Sequence, residues 1–431
     1  MTARLVNRPL GNNTEHVELP PELGGVWGGG NPRYVRWDLR DHAGTITPAL
    51  RRKKIDMHTG EVFVQPSRLE LCGRAQVDPE RGVPVGVVVP ADGSSIETGV
   101  MGNLMRCGLI WACASCSANI REGRAREIDT AVRRLRDQGG DAVMVTLTVP
   151  HHRRQGLKGL LDAVAQHFRK SIIGTPAYRG KGKGSNRYGG EVQEFGVVGT
   201  IRSLEVTYGG NGWHPHLHVL VLTDRPLEEW ERTSLAERWS KRWNRAAEKS
   251  GLGSIHPVHG VKVTGGYAAY IAKVQEGGSF DELPALPGRE LARMDAKSGR
   301  NGSVTPFQLV AIHRADADEE AAELWREYVD ATRGRQAITW SRGLKAELLP
   351  DDDELSDEEL AAALAETTVW VATVHSADWT LLIGASTWHH VEMMEALRRF
   401  GPRGLYRLLD SWGVGYSIPP GVTADLLEAW D

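Results

Sequence analysis

Three histidines stand at alternate positions in the stretch "GWHPHLHVLVLTD", as His214, His216 and His218. Side chains at alternate positions of a regular strand point to one face, and the apolar residues between them point to the other face, into a core. Two neutral imidazoles at positions i and i+2 can hold one divalent cation. The stretch therefore predicts a metal site on one face of a strand, although Pro215 can disturb the first of the three positions.

A carboxylate that could complete this site lies on the preceding strand candidate, "EFGVVGTIRSLEVTYG". If "GGNG" forms a four-residue hairpin loop, Tyr208 pairs with Trp213 and Glu205 stands opposite His216. Directly opposed residues share a face, so Glu205 is the expected third ligand. A slip of one residue would turn Glu205 away, and His214 is then the alternative ligand. A strand with surface histidines is the alternative to metal binding.

A candidate nucleophile lies downstream, in "YAAYIAKV". Tyr267, Tyr270 and Lys273 recur every three residues, which places them on one side of a helix. A phenol is a weak nucleophile at neutral pH because its reference pKa is about 10, but a nearby cation and a metal-polarised phosphate can both assist it. For this pattern taken alone, a core tyrosine is the alternative.

The four cysteines of the chain are Cys72, Cys107, Cys113 and Cys116, and the last two form a Cys-x2-Cys pair. Four thiolates suit a closed tetrahedral zinc site, and no cysteine would be left over. A structural zinc ion would tie the helix after Cys116 to the rest of the fold or support DNA binding. The alternative is four unrelated buried thiols.

The elements around these motifs follow the order β-α-β-β-α-β-α. "DAVMVTLTVP" alternates as a strand does, and "SANIREGRAREIDTAVRRLRDQGG" before it has helical spacing. This order predicts an α+β fold, with a central antiparallel sheet of β-α-β-β-α-β type (RRM-like) and helices on one face. A mainly helical C-terminal region is expected after it. The predicted segments are residues 1–65 (irregular), 66–140 (cysteines and entry helix), 141–280 (histidine and tyrosine motifs), 281–330 (linker and helix) and 331–431 (acidic C-terminal domain).

Charge is distributed unevenly along the chain. Residues 121–302 carry 29 Lys and Arg against 20 Asp and Glu, a local +9, whereas residues 303–431 carry 10 against 23, a local −13. A basic middle suits a polyanionic partner. The candidate DNA contacts are basic residues of the loop "RGKGKGSNRYGG" and one of the strand before the histidines, namely Arg179, Lys181, Lys183, Arg187 and Arg202. A solvated basic loop is the alternative.

The chain begins without the charged and then apolar pattern of a signal peptide, and no apolar run is long enough to cross a bilayer. A cytoplasmic protein without membrane contact is therefore expected.

Together these motifs resemble the HUH endonucleases, and most closely the rolling-circle replication initiators of actinobacterial plasmids. "VMVTLTVPHH" is similar to the family's Thr-rich first motif, His216-Leu217-His218 to its His-hydrophobe-His motif, and Tyr270-x-x-Lys273 to its Tyr-x-x-Lys motif. "CGLIWACASCSANI" resembles the cysteine segment before the catalytic strand of these initiators. The match covers roughly residues 107–310, and the order of the three motifs is specific although no single motif is.

The resemblance implies a site-specific single-strand DNA endonuclease and strand transferase, which is a nucleotidyltransferase. One Mg or Mn ion on His216, His218 and a third ligand would polarise the scissile phosphate. Tyr270 would attack it and leave a 5′-phosphotyrosine and a free 3′-OH that primes replication. Lys273 would stabilise the phosphate charge or position the ion.

The resemblance also implies partners. Plasmid origin DNA, single-stranded or in an extruded hairpin, would be the substrate, and a host helicase and replication proteins would unwind and copy it. Val274 stands where some relatives carry the attacking tyrosine, which favours Tyr270 as the nucleophile. Tyr267 and Glu276 are the candidates for assisting the second strand transfer. Residues 331–431 could bind the origin, mediate self-association or recruit host proteins.

Two alternatives remain for the function. An HUH-type mobilisation relaxase or transposase would use the same chemistry. A non-catalytic, zinc-containing DNA-binding regulator would carry these histidines incidentally.

Overall fold

The structure is a computed structural model, and it describes residues 32–88, 98–182, 188–264, 303–350, 355–362, 368–385 and 389–422. Across these ranges the chain is a mixture of helices and antiparallel sheets. No helix in this part of the chain is both long enough and apolar enough to span a membrane.

The helices and strands are numbered here in chain order. The helices are α1 (Pro32–Ile46), α2 (Arg68–Leu71), α3 (Ala114–Asp137), α4 (Leu157–His167), α5 (Pro176–Arg179), α6 (Glu191–Glu194), α7 (Glu229–Lys249), α8 (Pro306–Asp316), α9 (Glu319–Thr332), α10 (Leu344–Leu348), α11 (Asp357–Ala362), α12 (Ser376–Ala385) and α13 (His389–Ser411). The strands are β1 (Arg52–Ile55), β2 (Val62–Gln65), β3 (Val83–Val88), β4 (Thr98–Met101), β5 (Asp141–Thr148), β6 (Val197–Gly209), β7 (Gly212–Thr223), β8 (Val261–Thr264), β9 (Ile338–Trp340), β10 (Thr368–Val374) and β11 (Tyr416–Ser417). A π-helical turn, Phe168–Ile173, continues α4, and a 3-10 turn, Pro48–Leu50, follows α1.

The chain divides into two compact units, each built from two separate stretches. The histidine unit comprises Met1–Gly29 and Ile120–Glu354, and the cysteine unit comprises Gly30–Asn119 and Leu355–Asp431. These units join stretches that are distant along the chain, whereas the segments predicted from the sequence are consecutive.

The segment predicted to be irregular, residues 1–65, contains α1, β1 and β2. Val35, Leu39 and Ala43 of α1 are buried at a spacing of four residues, which is a helical pattern. The prediction of irregular structure is wrong for this helix, because the Gly- and Pro-rich composition of the whole segment hides the pattern.

The histidine unit is built on a five-stranded antiparallel sheet with the strand order β8-β5-β7-β6-β9. Strands β5 to β8, with α4 and α7, follow the β-α-β-β-α-β order that the sequence predicts. The fifth strand, β9, follows α9 in the chain and pairs with β6 at the sheet edge. The sheet is antiparallel as expected, and its identity as an HUH nuclease domain stays a prediction.

Helices α4 and α7 cover one face of this sheet. The apolar residues that alternate with the histidines, Leu217, Val219 and Val221, are buried there, as the alternation predicts. Helix α4 contacts β7, and the indole of Trp243 in α7 donates a hydrogen bond of 2.6 Å to the carbonyl oxygen of Thr148 at the end of β5. This packing holds β5 and β7 in place from behind the histidine row.

The second face of the sheet is also partly covered, so the prediction of helices on one face only is wrong. Leu220 and Leu222 of β7 follow His218 on this face and need an apolar cover. They are buried in a cluster with α3 and α10 that comprises Ile128, Ala131, Val132, Leu135, Ala142, Ile201, Leu220, Leu222, Leu344, Leu348 and Leu349. The polar half of the same face carries His214, His216 and His218.

The cysteine unit contains a second antiparallel sheet, with the strand order β11-β10-β3-β4. Buried residues of β3 and β10 pack in one core with Trp379 of α12 and with Met393 and Leu397 of α13. The C-terminal region therefore supplies two strands of this sheet besides its helices, whereas a mainly helical region is predicted. Ser356 caps the N-terminus of α11, because its Oγ accepts from the Glu359 amide at 3.2 Å.

Candidate functional site

The β6-β7 hairpin has the register that the sequence predicts. Glu205 pairs with His216, and the strands continue until Gly209 pairs with Gly212. The loop therefore contains two residues rather than the expected four, because each strand is one residue longer than expected. The register is unchanged. Because paired residues share a face, Glu205 faces the same side as His216 and His218.

Glu205, His216 and His218 form a compact group of potential metal ligands. One ligand atom from each residue lies within 4.8 Å of the other two. Nε2 of His218 and Oε2 of Glu205 are 2.7 Å apart, a hydrogen bond between the two strands. The ring centroids of His216 and His218 are 6.0 Å apart. A carboxylate and two imidazoles thus converge, and this donor set can hold a divalent cation.

A hydroxyl group contacts the other side of the His218 ring. Thr146 of β5 pairs with His218, and its Oγ1 lies 3.2 Å from Nδ1 of His218. With Nδ1 engaged there, Nε2 faces Glu205 and is the nitrogen that would bind a cation. Sequence reasoning did not single out Thr146, although the alternation of threonine with apolar residues along β5 is a signal for the polar face.

His214 lies beside this group but does not belong to it. Its ring centroid is 4.1 Å from that of His216 and 4.3 Å from that of His151. Burial, and then the charges of His216 and His151, lower the pKa of His214 to about 3, so its imidazole is neutral near pH 7. Its Nε2 is buried and has no hydrogen-bond partner among the residues described. The geometry favours Glu205 over His214 as the third ligand.

A lysine shares the polar face with these ligands. Lys262 of β8 pairs with Thr146, Thr146 pairs with His218, and His218 pairs with Ser203, so the four residues form one row across the sheet. Lys262 is exposed. Neighbouring strands are about 4.8 Å apart, which puts the Cα atoms of Lys262 and His218 about 10 Å apart. Sequence reasoning missed Lys262 because the pairing of β8 with β5 is long-range.

The tyrosine motif lies outside the residues that the structure describes. Tyr267, Tyr270 and Lys273 follow β8, which ends at Thr264 on the edge of the sheet. β8 is separated from β7, the strand with the histidines, by β5 alone. The roles of the two tyrosines and the lysine stay predictions.

All four cysteines converge in the cysteine unit, as predicted, and all are buried: Cys72, Cys107, Cys113 and Cys116. The Sγ atoms are 3.7 Å apart between Cys72 and Cys113, 3.5 Å between Cys72 and Cys116, and 3.6 Å between Cys107 and Cys116. A disulfide needs about 2.05 Å. Sulfurs placed about 2.3 Å from a tetrahedral zinc ion are about 3.8 Å from one another. The donor set and its dimensions therefore fit zinc.

The surroundings of the sulfurs also suit a bound cation with ionised thiols. Arg40 is buried, its Nη1 lies where a Cβ on Gly73 would clash, and this nitrogen has no hydrogen-bond partner among the described residues. Hydrogen bonds from the other thiols, together with the charge of Arg40, lower the pKa of Cys72, whereas burial raises the pKa of Cys113. The cluster resists full ionisation by itself, and a divalent cation would offset the charge.

The basic loop is only partly described. Arg179, at the end of α5, and Lys181 are exposed, and the main chain of Lys181 bridges to Tyr188. Lys183 and Arg187 lie outside the described residues. Exposed cations at this position are compatible with the predicted DNA contact, which stays a prediction.

Arg202 is the candidate DNA contact that the structure places elsewhere. It lies three positions from Glu205 on β6, so it faces the other side of the sheet, which α4 and α7 cover. Its guanidinium carbon sits 5.5 Å from the centroid of the Phe168 ring, and the residue is partly buried. The geometry gives no support for contact between Arg202 and a DNA strand bound at the histidines.

The amino-acid sequence is similar to those of known Streptomyces proteins. The chain is 34% identical over 344 residues to "Protein rep" of Streptomyces lividans, which covers 67% of this chain and 72% of that protein. It is 33% identical over 160 residues to the "Neomycin resistance protein" of Streptomyces cyanogenus, which covers 34% of this chain and 35% of that protein. No family model matches the chain. No solved structure matches it either.

Proposed function

The chain belongs to the family of the Streptomyces lividans Protein rep, and from this premise we propose that it initiates plasmid replication by cutting one DNA strand at an origin. The observation that carries the proposal is the convergence of Glu205, His216 and His218 on one face of the antiparallel sheet. The tyrosine motif follows the edge strand of that same sheet.

The ligand set of Glu205, His216 and His218 is better suited to a cation that acts on a substrate than to a purely structural ion. Three protein ligands leave coordination positions open, as catalytic metal sites do. Mixed carboxylate and imidazole donors, completed by phosphate oxygens, suit Mn or Mg. A cation bound there would polarise the scissile phosphate. Glu205 and His218 hold the position through the two paired strands, and Thr146 orients the ring of His218.

Tyr270 is the proposed nucleophile, as the resemblance implies. Its phenolic oxygen would bond to phosphorus while the bond from phosphorus to the 3′ oxygen breaks. The phenol gives up its proton and the 3′ oxygen takes one up, so the products are a 5′-phosphotyrosine and a 3′-OH. One phosphorus–oxygen bond replaces another, and no nucleotide is consumed.

The length of chain between β8 and Tyr270 is sufficient for this role. Six residues after Thr264 span at most about 20 Å, whereas β8 and β7 are about 10 Å apart across the sheet. Lys262 lies on the polar face of β8 and pairs with Thr146 of β5. It is proposed to bind a backbone phosphate of the same DNA strand.

The four-cysteine cluster is proposed to hold a structural zinc ion. The Sγ separations and the buried Arg40 support this assignment. Origin DNA is the proposed partner, and unwinding would come from a host helicase.

The test uses the full-length protein with a single-stranded origin oligonucleotide and Mn. The expected result is an SDS-resistant protein–DNA adduct that is lost in Tyr270→Phe and in His216→Ala. Tyr188→Phe and His152→Ala are matched controls at exposed positions, and both should keep the adduct.

Several outcomes would count against the proposal. DNA binding without an adduct would favour the non-catalytic regulator. An adduct that survives in Tyr270→Phe and disappears in Tyr267→Phe would move the nucleophile. Nicking without support of plasmid replication would favour a relaxase or transposase.

A further inference from the structure

The β1-β2 hairpin of the cysteine unit is an exposed two-stranded ribbon. The two strands pair with each other, from Arg52 with Gln65 to Ile55 with Val62, and no third strand joins them in the described part of the chain. Every residue of both strands except Gln65 is exposed. An isolated hairpin is marginally stable at best in water. This ribbon is therefore a surface that a partner could complete.

The ribbon exposes apolar side chains at an unusual density. Their exposed fractions run from 46% for Phe63 to 90% for Met57, and the set comprises Ile55, Met57, Val62, Phe63 and Val64. Ile55, Val62 and Val64 share one face of the ribbon, and Phe63 lies on the other. Single exposed apolar residues are ordinary, but a group of this size on one ribbon marks a contact surface.

The same ribbon carries a run of cations. Arg52, Lys53 and Lys54 are consecutive on β1 and exposed, and no acidic side chain pairs with them among the residues that the structure describes. The nearby carboxylate of Asp56 is engaged, since it accepts hydrogen bonds of 2.8 and 3.1 Å from the amides of His58 and Thr59 in the turn. The ribbon thus combines positive charge with apolar contacts.

The base of the ribbon is anchored next to the cysteine cluster. Arg51 donates two hydrogen bonds, of 2.6 and 3.0 Å, to one carboxylate oxygen of Glu70. Glu70 also accepts from the amide of Ser67 at 2.9 Å, in the capping box of α2. Helix α2 leads directly to Cys72. The ribbon is thus fixed at its base, and its strands are exposed to a binding partner.

We propose that this ribbon binds duplex DNA by lying in a groove. The major groove of B-DNA admits a two-stranded ribbon, and other DNA-binding proteins use β-ribbons in this way. Phe63 pairs with Lys54 and so shares a face of the ribbon with Arg52 and Lys54, whereas Lys53, Ile55, Val62 and Val64 lie on the other face. Arg52, Lys53 and Lys54 would contact phosphates, and Phe63 would contact base edges such as the thymine methyl group. The proposal deepens and rests on the proposed function, since it supplies contact with duplex DNA around the cut strand.

Charge argues against a second copy of this chain as the occupant. Where the β1 strands of two copies adjoin, the three cations of each copy would meet like charges, which is destabilising. A polyanion instead offsets them and releases counterions.

The experiment measures binding of a random-sequence duplex by the zinc-loaded, full-length protein at several salt concentrations, by fluorescence anisotropy. Each phosphate contact adds about 0.9 to the slope of log K against log salt, so the triple variant Arg52→Ala, Lys53→Ala, Lys54→Ala should lose about 3 of that slope. Phe63→Ala should weaken binding at fixed salt and keep the slope, because an apolar contact releases no ions.

The matched control removes three arginines of the same unit, in Arg399→Ala, Arg403→Ala, Arg407→Ala on α13, and should keep the slope. Circular dichroism and zinc content verify that each variant is folded. An unchanged slope in the ribbon variant overturns the proposal. A change in molar mass by light scattering with an unchanged slope would assign the ribbon to self-association. Absence of the tyrosine adduct in the wild-type protein would refute the proposed function and leave this comparison valid.

Discussion

Glu205 carries the clearest quantitative prediction, because it is the ligand that depends on strand register. In Glu205→Gln the side chain keeps its shape and loses its charge. The 2.7 Å contact with His218 can persist as an amide hydrogen bond, so the cost to folding should not exceed about 1 kcal/mol. The free energy of cation binding should fall by much more than this, because the amide carries no charge.

The expected loss of metal affinity follows from the role of Glu205 as a ligand. Substitution of a residue that only orients a metal ligand costs about 10- to 100-fold in affinity. For a charged ligand we expect the upper end, about 100-fold, which is about 2.8 kcal/mol because each factor of ten is about 1.4 kcal/mol. Glu205 keeps 15% of its side-chain surface exposed, so water can occupy the vacated position and binding should weaken rather than vanish.

The assay is titration of Mn by electron paramagnetic resonance, with thermal unfolding as the check on stability. Glu237→Gln, at an exposed site on α7, is the matched control and should bind Mn as the wild type does. An unchanged Mn affinity in Glu205→Gln would refute the assignment. If His214→Ala lost Mn binding instead, His214 would be the third ligand.

Four further results are expected. Thr146→Val should lower Mn affinity about tenfold, because the ring of His218 loses the hydroxyl at its Nδ1, and the same titration measures this. Lys262→Ala should weaken binding of single-stranded DNA and lower the slope of log K against log salt by about 0.7 while Mn affinity stays constant. Equal slopes for variant and wild type would contradict its phosphate role. Cys113→Ser should abolish stoichiometric zinc, measured by atomic absorption, and lower the unfolding temperature of the protein. In the wild type, zinc affinity should fall as pH falls, because protons compete for the thiolates, and a pH-independent affinity would argue against the cluster as the site.

The parts of the site that could be predicted are local in the chain. The β6-β7 hairpin joins neighbouring strands, so the period of two and the short turn were sufficient to place Glu205 opposite His216. The same parity places Arg202 on the other face from Glu205, and the DNA contact assigned to it from charge alone ignored that constraint. Cysteine composition indicated the four-cysteine cluster, because the chain has no other thiols.

The parts that could not be predicted depend on contacts between distant segments. The hydrogen bond between Thr146 and His218 spans 72 positions in the chain, and the pairing of Lys262 with Thr146 requires β8 to lie beside β5. The cover that α3 provides for Leu220 and Leu222 likewise follows from packing, since an apolar strand residue does not specify which helix will bury it.

The amino-acid sequence by itself determined the alternation along each strand, the hairpin register and the cysteine donor set, because these follow from backbone geometry and side-chain chemistry over short distances. Only the tertiary structure decided which strands adjoin the histidines, which helices partly cover the second face, and that the β1-β2 ribbon is exposed in the described part of the chain. Those outcomes depend on the burial of apolar surface across the whole chain, and no short stretch of residues encodes that competition.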